Sequence, residues 1–213
     1  MGVFAGEDLA ERLLARLLPL QAATAGARPP RSDYDLAQLP RPEGATLKQA
    51  AVLAPIVMRP EGWTMLLTQR TATMPTHAGQ IAFPGGRVQP EDGTVVDTAL
   101  RETEEEVGLS RRFIRPVGAI DSYETVTGYH VTPIVGLVEP GFTLALDPRE
   151  VADAFEAPLA FLMNPLHHER HEREWQGLKR AYYVMPYQNR YIWGATAGMI
   201  KALYDRLYGE HGQ

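Results

Sequence analysis

Leucines at positions 9, 13, 14, 17 and 18 recur at the spacing of one helical face, so residues 7–19 are expected to form an amphipathic helix that ends near Pro19. Residues 24–44 lose this periodicity and collect Pro, Arg and Gly, the composition of a linker or a lid. β-rich apolar runs then predict strands at 49–58 and 63–70, with Pro60-Glu61-Gly62 as the turn between them. From Val95 the period changes to 3.6. Val96, Ala99, Leu100, Thr103 and Val107 fall on one stripe of a helix expected to run from Val95 to Val107. Thr94 is its N-cap, with Asp97 three residues on in the manner of a capping box, and Gly108 before Leu109 is its C′ glycine.

Downstream the pattern predicts strands at 114–122 and 130–138, a short helix near 157–163, a hairpin across Ala181–Trp193 and a terminal helix from Ala195 to Leu207. Strands mixed with helices throughout imply an α/β domain with a mixed sheet covered on both faces. The expected organisation is an N-terminal helix and Pro/Arg-rich linker, residues 1–44, packing on a domain of residues 45–213. The leucine stripe of the first helix packs either within the chain or across a homodimer.

Composition narrows the function classes. A net charge of −5 argues against a nucleic-acid binder, whose affinity rests on clustered Lys and Arg. Arg28, Arg31 and Arg41 are accordingly taken as solvated linker charges. With no cysteine, thiolate nucleophiles and cysteine-based zinc sites are excluded. The longest apolar run, Ala50 to Met58, is too short to span a bilayer, and Glu7, Asp8 and Glu11 interrupt the N-terminal apolar periodicity, unlike a secretory signal. A cytoplasmic location is the expectation.

The chemistry concentrates on the central helix. With Glu102 as zero, Glu106 lies at about 40° and Glu105 at about 300°, so three carboxylates share one arc while Glu104 points away. A Glu-rich helix is ordinarily a solvated face, with Arg101 pairing Glu105 four residues on. Here the acids border an apolar stripe and follow a glycine pair, Gly85-Gly86. Crowded carboxylates need a compensating cation, and hard oxygen donors select Mg²⁺ or Mn²⁺. Glu102, Glu105 and Glu106 are therefore the candidate metal ligands, with Glu105 as a further ligand or the base and Arg101 orienting them.

Further candidates surround this helix. Arg70 ends a strand ahead of the glycines and can clamp a phosphate in bidentate fashion. His77 either binds substrate or makes an ordinary loop hydrogen bond. Gly85 and Gly86 permit close backbone approach to a metal or phosphate. Glu150 and Glu124 are either a general base or solvated carboxylates. His167, His168 and His171 lack a separate ligand pair, so an exposed loop is expected there rather than a zinc site.

These residues resemble the signature of the Nudix hydrolases: a glycine, five residues, a glutamate, seven residues, then R-E-hydrophobic-x-E-E-x-G-hydrophobic. Arg101-Glu102-Thr103-Glu104-Glu105-Glu106-Val107-Gly108-Leu109 matches its second half, with Thr103 at a usually apolar position. One extra residue upstream leaves Asp92 or Glu91 as the loop acid. Leu66-Leu67-Thr68-Gln69-Arg70 and Gly79-Gln80-Ile81-Ala82-Phe83-Pro84-Gly85-Gly86 are similar to the coenzyme A diphosphatase branch, as are Thr127–Pro133 and Ile192–Ala197. Thr71 and Pro75 depart from that branch, the latter replacing an arginine.

The resemblance covers roughly residues 48–205. It implies a Nudix α/β/α sandwich and metal-dependent hydrolysis of coenzyme A or its thioesters to adenosine 3′,5′-bisphosphate and (acyl-)4′-phosphopantetheine. Other nucleoside diphosphate derivatives (ADP-ribose, a dinucleotide, an oxidised nucleotide) and a binding module without turnover remain alternatives. The implied partner is a small nucleotide, not a nucleic acid or a membrane.

Overall fold

The computed structural model describes residues 7–23, 28–36, 38–73, 77–175 and 178–209. Its centre is the parallel pair β2 (Lys48–Val57) and β8 (Tyr129–Val138). On the far side of β8 lie β6 (Ile114–Ala119) and β7 (Tyr123–Glu124), both antiparallel to it, and β7 takes the two-residue β1 (Arg31–Ser32) as a parallel neighbour. On the other side, β2 pairs with β3 (Thr64–Arg70) at one end and with β5 (Gly85–Arg87) at the other. β3 continues to β4 (Ile81–Ala82) and β9 (Val151–Pro158). A second antiparallel sheet joins β10 (Glu169–Trp175), β11 (Leu178–Tyr187) and β12 (Arg190–Trp193).

Alternation along the central strands gives the large sheet two apolar faces. Ala51, Leu53, Val57 and Leu66 pack with Val95, Ala99 and Val107 of α2 (Val95–Val107). Ala54, Ile56, Met65 and Leu67 pack on the opposite face, with Ile200 and Leu203 of α4 (Ala195–Tyr208) and Leu9 and Leu13 of α1 (Glu7–Arg16). The result is the α/β/α sandwich with a mixed sheet that the sequence implied. Among the described residues no helix is long and apolar enough to cross a membrane.

Several sequence expectations need correction. α1 stops at Arg16 because Leu18 leaves the helix to exchange backbone hydrogen bonds with Ala119, both at 2.9 Å. The strand expected at 114–122 breaks after Ala119 and resumes as β7, following a bulge between Pro116 and Gly118. β9 went unread because Val151-Ala152-Asp153-Ala154-Phe155-Glu156 has no clean alternation. It is held by backbone pairing to β3, and only the short α3 (Leu159–Leu162) remains of the helix expected at 157–163.

The expected exposed histidine loop is instead a turn of 3₁₀ helix, Pro165–His167, followed by β10. His168 Nε2 lies 2.7 Å from the Leu162 carbonyl and its ring stands edge-on to Tyr204. The linker arginines are not solvated charges either. Arg28 and Arg41 reach the buried Glu124 at 3.2 and 3.5 Å, and Arg31 reaches Asp205 at 3.3 Å. These partners lie far away in sequence, beyond what local pattern reports.

Leu13 is fully buried, in an apolar cluster that also holds residues of β2, β8 and α4. Leu13→Ala should therefore cost about 2–4 kcal/mol in urea unfolding. A loss below about 0.5 kcal/mol, the scale of a surface change, would mean that α1 does not belong to the core.

Candidate active site

α2 is fixed at both ends. Thr94 Oγ1 accepts from the Asp97 N–H at 3.2 Å, while Asp97, shorter than the Glu of a full capping box, takes the Thr94 hydroxyl at 2.7 Å. At the other end Gly108 has φ +67° and donates to the Glu104 carbonyl, and a Cβ there would stand 2.9 Å from Ala145 Cβ. The following loop pairs with the helix end through Ala145 N–H to Val107 and Asp147 N–H to Glu106, both at 2.9 Å. Thr103, the polar member of the apolar stripe, donates to Ala99 O at 2.7 Å within its own helix and so buries its hydroxyl satisfied.

The glycine pair lies directly beneath the acids. Gly85 has φ +153°, and a side chain there would collide with the Ala51 carbonyl. Its N–H donates to Glu106 Oε2 at 3.1 Å. A Cβ on Gly86 would come within 2.5 Å of the Glu102 carboxyl group, so that acid rests in the space glycine leaves. Both glycines thus serve the carboxylates, and the Gly85 N–H is already engaged.

Glu106 is 5% exposed. Burial pushes its carboxyl up to about 7, the Gly85 N–H and the Arg70 guanidinium opposing this, and the charges of Glu102 and Glu150 adding to it. Burial raises Glu102 as well, against the pull of Arg101. Arg70 faces Glu106 Oε1 from 3.8 Å, a Coulombic contact without a hydrogen bond.

Arg101 organises the exposed edge. Its Nε and Nη2 donate to Asp92 at 2.8 and 2.9 Å, and its Nη1 donates to Glu102 at 2.9 Å and Glu105 at 3.1 Å. The Arg101 guanidinium, joined by the Gln89 N–H and Thr98 Oγ1 as further donors, holds the Asp92 carboxyl well below the usual carboxylate range. Of the two upstream acids considered, Asp92 therefore anchors the arginine, and Glu91 stands exposed.

The three acids of the helical arc do not converge. Glu105 is 60% exposed and held by Arg101, and among the described residues no group of three His, Asp or Glu side chains is assembled to hold a metal ion. The donors nevertheless fit a hard divalent cation: the half-buried Glu102 and the buried Glu106 are oxygen donors that repel each other, and the charge of Glu150, in the turn just before β9, acts on both. Glu150 is the carboxylate that sequence periodicity could not rank, since it comes from a loop outside the helix. Glu124, the other base candidate, is occupied by Arg28 and Arg41. His77, at φ +57°, bonds within its loop, Nδ1 lying 2.8 Å from Gln80 Oε1. Pro75 lies outside the described residues.

Glu106 supplies a pH test of this geometry. The folded, metal-free protein keeps the Glu106 proton up to about pH 7, whereas the unfolded chain releases it near 4.5. The associated stability is thus complete below about pH 4.5 and lost as pH rises through 7, by about 3 kcal/mol. Urea unfolding in chelator at pH 5 and pH 8 should show this loss in the wild type and a much smaller one in Glu106→Gln. Equal losses in the two proteins would refute a Glu106 carboxyl raised by its burial.

Comparison with known proteins fixes the family. The NUDIX domain matches residues 47–191. Proteins named Uncharacterized Nudix hydrolase NudL from Yersinia pestis (strain Pestoides F) and Yersinia pseudotuberculosis (serotype O:1b) are each 40% identical over 179 residues, covering 80% of this chain and 89% of theirs. Among solved structures, a MutT/nudix family protein from Enterococcus faecalis is similar at 18% identity and a TM-score of 0.46, over 93% of this chain and 73% of that one. Members of the family generally use divalent metal ions and bind small nucleotide-derived substrates. A domain match across the whole acidic site, carried by relatives at 40% identity, establishes that this chain belongs to the Nudix hydrolases, enzymes acting on pyrophosphate bonds.

Proposed function

We propose that this Nudix hydrolase cleaves the pyrophosphate of coenzyme A or its thioesters, releasing adenosine 3′,5′-bisphosphate and (acyl-)4′-phosphopantetheine, with Mg²⁺ or Mn²⁺ as cofactor. The observation that carries this reading is the union of the two segments similar to the coenzyme A diphosphatase branch. Leu66–Arg70 and Gly79–Gly86 form one paired unit: Gln69 opposes Ile81, Thr68 Oγ1 donates to Ala82 O at 3.2 Å, and the Arg70 N–H donates to Gln80 O at 2.9 Å. Arg70 at its end faces Glu106. This supports a single site shared by that segment and the acidic helix.

In this reading Glu102 and Glu106 hold the metal, and Arg70 contacts a phosphate. A bound divalent ion supplies a water of lowered pKa and neutralises charge on the bridging phosphates. Arg101, fixed by Asp92, orients Glu102. Glu105 serves as a further ligand or as the base by leaving Arg101; Glu150, in electrostatic reach of Glu102 and Glu106, is the competing base. His77 and the backbone at Gly85-Gly86 line the substrate side. We read residues 1–44 as a helix and strap packed on a hydrolase domain of residues 45–213, a division supported by the burial of Leu9 and Leu13 in its core.

Glu106→Gln should keep the fold, since Gln still accepts from the Gly85 N–H, and should reduce Mn²⁺-dependent turnover by about 10²-fold or more. Chelator should abolish wild-type activity and Mg²⁺ or Mn²⁺ restore it. Full turnover by folded Glu106→Gln, or after exhaustive EDTA dialysis, would reject this mechanism.

The substrate assignment is tested by incubation with coenzyme A, dephospho-coenzyme A, ADP-ribose and 8-oxo-dGTP, with products identified by mass. Coenzyme A should exceed dephospho-coenzyme A by about 5- to 150-fold in kcat/KM, the range of 1–3 kcal/mol for a charge-assisted contact to the 3′-phosphate. Faster hydrolysis of ADP-ribose or 8-oxo-dGTP would instead assign the enzyme to another nucleoside diphosphate derivative.

A further inference from the structure

Arg70 has more donors than the metal-free protein uses. It ends β3 where the pairing with β9 slips register between Gln69 and Arg70, and its backbone N–H is fixed on Gln80. Its Nη1 approaches Glu106 Oε1 only to 3.8 Å, and its Nε is buried with no hydrogen-bond partner among the described residues. A guanidinium presents five donors in a rigid planar fork, and a buried donor without a partner is costly. An oxyanion such as a phosphate matches that fork.

Glu106 shows the complementary deficiency. Its Oε2 is taken by the Gly85 N–H, so Oε1 is the oxygen left for a cation, and it is the oxygen that Arg70 faces. Two cations on one carboxylate oxygen repel each other strongly in a buried setting. Metal and guanidinium therefore compete for Glu106, while a phosphate can satisfy the guanidinium better than Glu106 does, through two parallel hydrogen bonds.

Resting on the reading of Glu106 as a metal-holding carboxylate, we propose that Arg70 is an exchangeable counter-ion: it faces Glu106 and partly offsets its charge when no divalent ion is bound, and turns its fork to a substrate phosphate when one is. Arg70 then couples the two binding events. The metal-loaded enzyme offers the pyrophosphate a released guanidinium, and the metal-free enzyme withholds it.

The test measures Mn²⁺ binding to the full chain by the electron paramagnetic resonance of free Mn²⁺, with no substrate present. Imidodiphosphate, a non-hydrolysable pyrophosphate, is then titrated into the Mn²⁺-loaded protein. Arg70→Gln should bind Mn²⁺ about tenfold more tightly than wild type because the competing cation is gone. It should bind imidodiphosphate at least about tenfold more weakly. Arg70→Lys keeps the charge without the fork, so its Mn²⁺ affinity should match wild type while imidodiphosphate still weakens.

Unchanged or weaker Mn²⁺ binding by folded Arg70→Gln, in an enzyme whose wild type binds Mn²⁺ and turns over substrate, would overturn the exchange and leave the metal reading intact. Should Arg70→Gln fail to fold, wild-type imidodiphosphate affinity in Arg70→Lys would overturn it equally. A wild type that binds no Mn²⁺ would remove the metal reading and this inference together.

Discussion

Glu106 is a buried carboxylate supported by one backbone N–H and by a guanidinium too distant for a hydrogen bond. A charge in that position is tolerable only if the surroundings are shaped around it, and the local construction follows from this constraint. β5 must run close enough for the Gly85 N–H to reach Oε2, and there is no room there for a Cβ at Gly85, against the Ala51 carbonyl of β2, or at Gly86, against the Glu102 carboxyl. α2 must be held at both ends, since a small shift along its axis would carry Glu106 off that donor. The Thr94 cap and the loop that pairs with the last helical carbonyls provide this hold.

The two arginines of the site differ in their surroundings. Arg101 is saturated by Asp92, Glu102, Glu105 and a backbone carbonyl, so it is part of the scaffold that orients the acids. Among the described residues Arg70 is under-satisfied, with a buried donor and one long ion pair. Saturated guanidiniums fix geometry, whereas under-satisfied ones have binding capacity to give to a ligand. The deeply lowered Asp92 carboxyl and the raised Glu106 carboxyl express the same division in electrostatic terms.

A second buried charge shows how the N-terminal segment is tied down. Glu124 on β7 receives Arg28 and Arg41, and Asp33 accepts the Val126 N–H at 2.8 Å and the Tyr123 hydroxyl at 3.0 Å. Removing one partner of such a pair exposes the other to the full cost of burial, so the strap is held more by avoidance of orphaned charge than by apolar area. Its few hydrophobic residues gave no sign of this attachment.

The sequence by itself determined α2 completely: its ends, its apolar stripe and the acidic edge beside that stripe. Those features depend on residues within one or two turns, where helical geometry fixes who neighbours whom. It also determined the α/β class, the paired glycines and the Nudix family. Tertiary structure alone decided that Glu105 stays exposed while Glu106 is buried, because an arc on a helical wheel does not say which side meets the sheet. It decided that Asp92 anchors Arg101, that Glu150 joins the acids from the turn before β9, and that the linker arginines are ion-paired. Each of these depends on contacts between segments distant in the chain, which periodicity and spacing do not encode.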